Sequence, residues 1–190
     1  MSVRILDVDL ETFARIPPEC QQALFWELPE SAAEILDARF QKEEWFSSTL
    51  LEWGRCGKVV VDGETSQGFA EFAPATLFPR LGSFAAGSVS DDAAYLSYCY
   101  VASGNQRRGL GTELVRTVAR DLLDRGYRAV EAVGDREWDG RWVLPVQLLA
   151  SNGFRVLRDD IRYPLLRLDL REAPLPMSAL EMAELPLPLA

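Results

Sequence analysis

The sequence predicts an α+β domain, because strand-like segments alternate with helical ones and a strand–loop–helix–strand unit stands in the middle of the chain. The chain has 190 residues, the length of one compact domain with a tail, and 48% of them are hydrophobic, which suffices for a core. We therefore expect a single domain over residues 1–172 and a proline-rich tail over residues 173–190.

The composition narrows the function classes that the chain fits. With 20 Lys and Arg against 29 Asp and Glu, its net charge of −9 argues against nucleic acid or an anionic membrane as the main partner. The absence of histidine removes every catalytic triad with a histidine base and every histidine-ligated metal site. The three cysteines lie far apart, so we expect no metal and a cytoplasmic location. No segment has the apolar length of a signal peptide or a membrane span.

The N-terminal third is expected to hold one strand followed by helical segments. Residues 3–7 are typical of a short strand, and the prolines within and after residues 9–28 predict two short helical pieces. Ser31, with Glu34 three residues later, predicts the start of a helix that continues to Trp53. Its apolar stripe would consist of Leu36, Phe40, Phe46, Leu50 and Trp53.

The rest of the chain alternates strands with helices. An Asp62-Gly63 turn between β-branched segments predicts a hairpin. The strongest helix spans residues 109–125, with apolar residues at helical spacing and Gly126 as its stop. The other predicted elements are strands at 58–61, 66–73, 94–101, 129–133, 154–158 and 163–170, a short helix at 144–151, a long surface loop at 74–93 and a charged loop at 134–142.

The segment between the strand at 94–101 and the helix at 109–125 has the residues of an anion-binding loop. Gly109 and Gly111 remove side chains where the backbone enters the helix, so the free N–H groups of the first turn face outward. Residues 106–108 add hydrogen-bond donors and positive charge. Such a loop suits a phosphate or pyrophosphate, and the alternative is that the glycines only permit a tight helix start.

Two common phosphate-binding motifs do not fit this loop. Leu110 stands where a Walker A loop has its lysine, and no third glycine follows Gly111 to complete a dinucleotide-binding fingerprint. The pattern Gln106-x-x-Gly109-x-Gly111 instead matches the signature Q/R-x-x-G-x-G/A. It resembles the coenzyme A pyrophosphate loop of the GNAT superfamily of N-acetyltransferases.

The resemblance covers roughly residues 58–170 and includes the strand before the loop and the LLASNGFRVL segment after it. It implies a GNAT-like mixed β-sheet of about 6–7 strands, splayed open at its centre after the 94–101 strand and flanked by helices. It also implies acetyl-CoA as co-substrate. The implied contact residues are Cys99, Tyr100, Val101, Gln106, Arg107, Arg108, Gly109, Leu110, Gly111 and Thr112.

The resemblance further implies acetyl transfer to a primary amine by direct attack within a ternary complex. The acceptor ammonium, whose pKa is about 10, must first lose a proton. The developing oxyanion needs a donor, here a backbone N–H near Cys99 or Tyr100. Glu71 is interpreted as the only carboxylate inside a predicted central strand and is the candidate base. Two alternatives to this assignment stay open. Glu71 is a solvent-facing strand residue, or the proton leaves through a water chain that ends on a backbone carbonyl.

The proton donor for the leaving thiolate is missing from its usual position. Many members of the superfamily carry a tyrosine there, and the matching residue is Leu149. Tyr98, Tyr100 or Tyr163 would replace it, or the thiolate leaves unassisted; ordinary packing is the alternative for each tyrosine. Cys99 is either an acyl-accepting nucleophile or a small buried strand residue, and without histidine nothing obvious activates it.

The acceptor, a small amine or a protein amino group, is expected between the 31–53 helix, the 74–93 loop and the end of the 94–101 strand. Acidic residues there either attract a cation or form a solvated face: Glu27, Glu30, Glu34, Asp37, Asp91 and Asp92. Trp138 and Trp142 either line a ligand or pack in the core. A degenerate domain that binds acyl-CoA as a sensor or interaction module, a transferase for longer acyl chains, and a homodimer stay open.

Overall fold

The computed structural model describes residues 3–30, 37–138 and 142–171, which form a mixed β-sheet with helices on both faces. The strands are β1 (Val3–Asp7), β2 (Gly57–Asp62), β3 (Thr65–Ala73), β4 (Ala93–Val101), β5 (Ala129–Asp135), β6 (Leu144–Pro145), β7 (Arg155–Arg158) and β8 (Leu165–Asp169). The helices are α1 (Ala38–Glu52), α2 (Leu110–Asp124) and α3 (Val146–Ser151). The strand order is β1-β2-β3-β4-β5-β8-β7, with β6 paired to β5. The predicted α+β class is confirmed.

Strands β4 and β5 separate in the middle of this sheet. They pair in parallel only where Ala93–Tyr95 lies beside Ala129–Glu131. The pairing of β4 with β3 shifts by one residue after Glu71, so Ser97 is an extra residue on β4. Such a bulge bends a strand, and β4 beyond Ser97 stays paired to β3 while it leaves β5. The predicted central splay is confirmed.

Helix α2 covers one face of the sheet, as its periodicity predicts. Its buried residues are Leu114, Val115, Val118, Ala119 and Leu122, and they pack against β2, β3, β4 and β5. Gly126, with φ of 87°, follows the helix at the predicted stop. The helix therefore packs against the strands on both sides of the splay, β4 on one side and β5 on the other.

Helix α1 on the opposite face differs from its prediction. It begins at Ala38, where the Asp37 side chain accepts a hydrogen bond from the Phe40 N–H at 3.0 Å. The predicted cap, Ser31 with Glu34, lies outside the described residues, as does Leu36. Phe40 is 62% exposed, whereas Lys42 is buried beside Phe46. The predicted apolar stripe was therefore wrong at Phe40 and did not include Lys42. Lys42 is buried because it pairs with buried carboxylates, and helical periodicity cannot predict such a pairing.

The segment at 74–93 is not the surface loop that its prolines and glycines predict. It forms two short 3₁₀ turns, Ala75–Leu77 and Pro79–Ser83, and its apolar side chains enter the core under α1. Phe78 is buried against Tyr95, with ring centroids 5.5 Å apart. The earlier helical pieces, predicted between residues 9 and 28, are likewise 3₁₀ turns at Phe13–Arg15 and Cys20–Gln22.

Two further observations concern membranes and metals. Over residues 3–30, 37–138 and 142–171, no helix has the length and apolarity needed to cross a lipid bilayer. In those same ranges, His, Cys, Asp and Glu side chains do not gather in a group of three or more that could hold a metal ion. The predicted tail at 173–190 lies outside the described residues.

Candidate functional site

A cavity of about 240 Å³ lies between β4, the N-terminus of α2 and α3. It is lined by Cys99, Val101, Gln106, Arg107, Gly109, Gly111, Thr112, Trp138, Pro145 and Leu148. Seven of these belong to the predicted coenzyme A contacts. The other three predicted contacts do not line it: Tyr100 lies on the opposite face, Leu110 packs against the α2 core, and Arg108 donates to Asn105 Oδ1 at 2.7 Å.

The loop from Ala102 to Gly109, the candidate anion cradle, contains three residues at positive φ. Gly104 and Gly109 have φ of 90° and 83°, and Arg107, with φ of 61°, is the one non-glycine residue at positive φ in the described chain. Alternating right- and left-handed conformations turn successive N–H groups towards one point, which creates a concave anion site. A strained backbone at Arg107 is consistent with a functional loop rather than a simple connection.

Helix α2 adds its own donors to this cradle. The Glu113 N–H bonds to the Gly109 carbonyl at 3.0 Å, so the preceding N–H groups, those of residues 110–112, have no intrahelical acceptor. Within the part of the chain that the structure describes, no side chain caps this end of the helix. The N–H groups and the positive end of the helix dipole therefore face the cavity mouth, where a phosphate would be stabilised.

Replacing Gly109 by alanine is expected to destabilise the fold by about 1–2 kcal/mol, because a Cβ disfavours positive φ. Among the described residues, the added Cβ would meet nothing within 4 Å, so the loss would come from the backbone alone. Gly82→Ala is the control, since its Cβ also enters open space and its φ is not in the left-handed region. Urea unfolding of both variants measures the difference, and equal stabilities would contradict this account.

The backbone of β4 is available to a ligand on the side that faces the gap. The Ala102 N–H bonds to the Gln67 carbonyl of the neighbouring chain segment at 2.8 Å. Successive residues of an antiparallel strand direct their backbone N–H and C=O groups to opposite sides of the strand. Tyr98 and Tyr100 therefore also direct theirs to β3. The backbone groups of Cys99 and Val101 face the gap left by β5. Of the two positions predicted to supply an oxyanion donor, the register favours Cys99.

The two tryptophans after β5 have different surroundings. Trp138 lines the cavity and is 47% exposed. The Trp142 ring lies 6.1 Å from that of Tyr98, and its carbonyl accepts a hydrogen bond from Trp26 Nε1 at 3.1 Å. The ligand-lining alternative is therefore favoured for Trp138, whereas Trp142 packs against the end of β4.

Glu71 lies in the core, 1% exposed, so its solvent-facing alternative is wrong. Its Oε2 pairs with Lys42 Nζ at 2.6 Å, and its Oε1 accepts a hydrogen bond from Ser97 Oγ at 2.9 Å. It is also not the only carboxylate in a central strand, because Glu131 on β5 is fully buried. Glu131 pairs with Arg167 at 2.9 Å and has no contact with the gap cavity.

The candidate proton donors lie on the α1 face of the sheet. Burial raises the pKa of Tyr98, so its hydroxyl is neutral near pH 7. Burial and a hydrogen bond to the Glu19 carboxylate raise the pKa of Tyr100 in the same direction. Leu149, at the usual tyrosine position, is fully buried in the α2 core. Of the two tyrosines, Tyr98 packs against Trp142, in the segment that follows β5.

Comparison with known proteins agrees with this geometry. The model of the Acetyltransferase (GNAT) family matches residues 20–138. The chain belongs to this family. No curated protein matches it in sequence.

Solved GNAT-type structures share the fold at low sequence identity. An N-acetyltransferase from Staphylococcus aureus Mu50 has a TM-score of 0.58 and 14% identity, over 90% of this chain and 99% of that chain. The protein yncA from Salmonella typhimurium, solved with its cofactor acetyl-CoA, has a TM-score of 0.61 and 16% identity, over 92% of this chain and 97% of that chain. The PaiA N-acetyltransferase from Thermoplasma acidophilum, in complex with coenzyme A, has a TM-score of 0.55 and 14% identity, over 89% and 99%.

This GNAT domain has a second cavity of about 340 Å³ on the expected acceptor side. It is lined by Phe25, Glu30, Arg80, Ser83, Phe84, Ala85, Val143, Asp160 and Tyr163. Glu30 is the one acidic residue predicted there that the cavity contains; Asp160 was not predicted. Tyr163 packs edge-on against Phe84, with ring centroids 5.4 Å apart.

Of the other acidic residues predicted there that the structure describes, none lines this cavity, and Asp91 is exposed. Asp37 caps α1, and Asp92 pairs with Arg167 at 2.8 Å. Glu27 is buried against Lys42, so the alternative that Glu27 belongs to a solvated face is wrong. Glu34 lies outside the described residues. Sequence reasoning also missed Lys42 and Ser97 beside Glu71, since their partners are distant in the chain and no local motif marks them.

Proposed function

We propose that this chain transfers an acetyl group from acetyl-CoA to a primary amine, of a small molecule or a protein, by direct attack in a ternary complex. The observation that carries the proposal is the anion cradle of residues 102–112 at the mouth of a gap whose wall is the unpaired edge of β4. Family membership supports acyl transfer, and the relatives solved with acetyl-CoA or coenzyme A support the donor.

The residues present fit the donor. The N–H groups of the cradle and of the first turn of α2 would hold the pyrophosphate, and Arg107 adds positive charge beside them. The backbone of Cys99 and Val101 would pair with the pantetheine arm as an added strand does. Bound acetyl-CoA would supply a thioester carbonyl that is activated towards an amine.

The proposed chemistry assigns one task to each group of this chain. The Cys99 N–H donates to the negative charge that develops on the thioester oxygen. Glu71 accepts a proton from the acceptor ammonium, and the Tyr98 hydroxyl, neutral at pH 7, donates a proton to the departing thiolate. The acceptor would approach from the α1 face, where the cavity at Glu30 and Tyr163 opens.

Cys99→Ala is expected to keep amine-dependent thiol release within about threefold of the wild type, since direct transfer needs only the backbone N–H at this position. Burial raises the pKa of the Cys99 thiol to about 12, so the thiolate is scarce at neutral pH. Steady-state thiol release and intact-protein mass spectrometry after incubation with acetyl-CoA check this. An acetylated Cys99 together with lost turnover would instead indicate a covalent route.

The proposal is tested by calorimetry with acetyl-CoA and by free-thiol release across a panel of primary amines. Binding with amine-dependent release would support the enzyme and identify its acceptor class. Binding without release would favour the second candidate, an acyl-CoA sensor, for which the buried Leu149 at the usual tyrosine position is the supporting observation. No binding would overturn the assignment of the loop.

A further inference from the structure

Lys42 lies between two carboxylates inside the protein, on the acceptor side of the sheet. Its Nζ contacts Glu27 and lies 2.6 Å from Glu71 Oε2, and all three side chains are at most 2% exposed. Ser97, the extra residue of the β4 bulge, donates to Glu71 Oε1 at 2.9 Å. The chain of contacts therefore joins a buried charged cluster, Glu27–Lys42–Glu71, to the strand that edges the gap.

The cluster has one negative charge more than it has positive charges. Among the described neighbours, burial raises the pKa of Cys20, Cys56 and Tyr98, so these three add no charge near pH 7. A surplus negative charge in a low-dielectric interior is unfavourable. Uptake of one proton would bring the formal charge of the cluster to zero.

The outer end of the cluster lies beside an open cavity away from the gap. Glu27 lines an open cavity of about 470 Å³ together with Glu44, Trp45 and other residues of α1. Glu71, at the inner end, is the cross-strand partner of Tyr98, whose ring packs against Trp142. A proton taken up at Glu71 thus has a path of directly contacting groups to the wall of this cavity.

We propose that the proton acceptor of the reaction is the Glu27–Lys42–Glu71 cluster as a unit, in which Glu27 and Lys42 are positioning residues that act through Glu71. This inference rests on the proposed function. The acceptor ammonium gives one proton to the cluster, its nitrogen bonds to the thioester carbon, and the C–S bond breaks. The thiolate is protonated by Tyr98, which is reprotonated by the second proton of the nitrogen, and the first proton leaves through Glu27 to solvent.

The test is the pH dependence of kcat/KM for thiol release in two variants that change the cluster charge in opposite directions. Glu27→Gln removes the surplus negative charge, so the acid limb should move to lower pH by about one unit, with a loss of about tenfold in the plateau rate. Lys42→Met leaves two carboxylates without a cation, so the acid limb should move to higher pH by about one unit or more. A purely structural role would not produce shifts of opposite sign.

A second buried lysine provides a matched control. Lys58 on β2 lies between Asp7 and Asp121, on the opposite face of the sheet from Lys42, and its side chain is 8% exposed. Lys58→Met should lower the thermal midpoint without moving either limb of the pH profile. If Lys42→Met does not fold, Glu27→Gln, which keeps an oxygen for Lys42, carries the test.

The outcomes separate this inference from the proposed function. Shifts of opposite sign in the two variants, with acetyl-CoA affinity unchanged by calorimetry, support the cluster as proton acceptor. Two results would overturn the inference and leave the proposed function standing. In the first, the wild type turns over but neither cluster variant moves the acid limb of its pH profile. In the second, Lys58→Met moves the acid limb as far as the cluster variants do. The absence of amine-dependent thiol release in the wild type overturns both.

Discussion

Gly111→Phe is expected to weaken acetyl-CoA binding by about 100-fold or more, because the ring would occupy the cavity at the start of α2. A Cβ at this position would already lie 3.5 Å from Leu148 Cδ1 and 3.7 Å from Val101 Cγ2, so a larger side chain has only the ligand's space to enter. Displacing the pyrophosphate from two charge-assisted hydrogen bonds, at about 1.5–3 kcal/mol each, corresponds to this loss. Calorimetry with acetyl-CoA measures it.

Gly111→Ala is the matched control for that variant. Its Cβ would make only ordinary van der Waals contacts, and alanine is allowed at the matching position of the loop signature, so affinity should stay within about threefold. Both variants should keep the wild-type thermal midpoint to within a few degrees. Equal affinities for the phenylalanine variant and the wild type would show that the ligand binds elsewhere.

Arg167→Met is expected to lower the free energy of unfolding by about 3–5 kcal/mol, because it leaves the fully buried Glu131 without its cation. Arg167 on β8 also pairs with Asp92 at 2.8 Å, and so it joins the start of β4 to β5 and β8 beside the splay. A loss of this size is a large part of the stability of a typical domain. Urea unfolding near pH 7 measures it.

The stability lost in Arg167→Met is also expected to depend on pH. The hydrogen bond from Arg167 lowers the pKa of Asp92 below its ordinary value, so this pair stabilises the wild type above about pH 4 and loses its contribution as pH falls through the lowered pKa. In Arg167→Met that acid-dependent loss is absent, so the difference in unfolding free energy between this variant and the wild type should become smaller on acidification. A constant difference between pH 7 and pH 3 would contradict this assignment.

Asp169→Asn is the control, because Asp169 is an exposed partner of Arg167. It should change the free energy of unfolding by about 0.5 kcal/mol or less.

The elements that sequence reasoning predicted well are those whose signals are local. The buried stripe of α2 repeats at helical spacing, and Gly109 and Gly126 stand at its two ends with positive φ. The Asp62-Gly63 turn likewise determines its hairpin from adjacent residues. Elements without such signals were less accurate: prolines and glycines at 74–93 indicated a loop but could not indicate that Phe78 enters the core.

What the sequence by itself determined was the glycine pattern of the loop before α2 and, through it, the resemblance to the family, because glycine conformations and helix-terminal N–H groups depend on consecutive residues. Only the tertiary structure decided which edge of β4 is free, that Glu71 is buried, and that Lys42 lies between it and Glu27. These facts depend on contacts between segments far apart in the chain, and a buried charge leaves no local pattern. Its environment exists only after helix and sheet have packed.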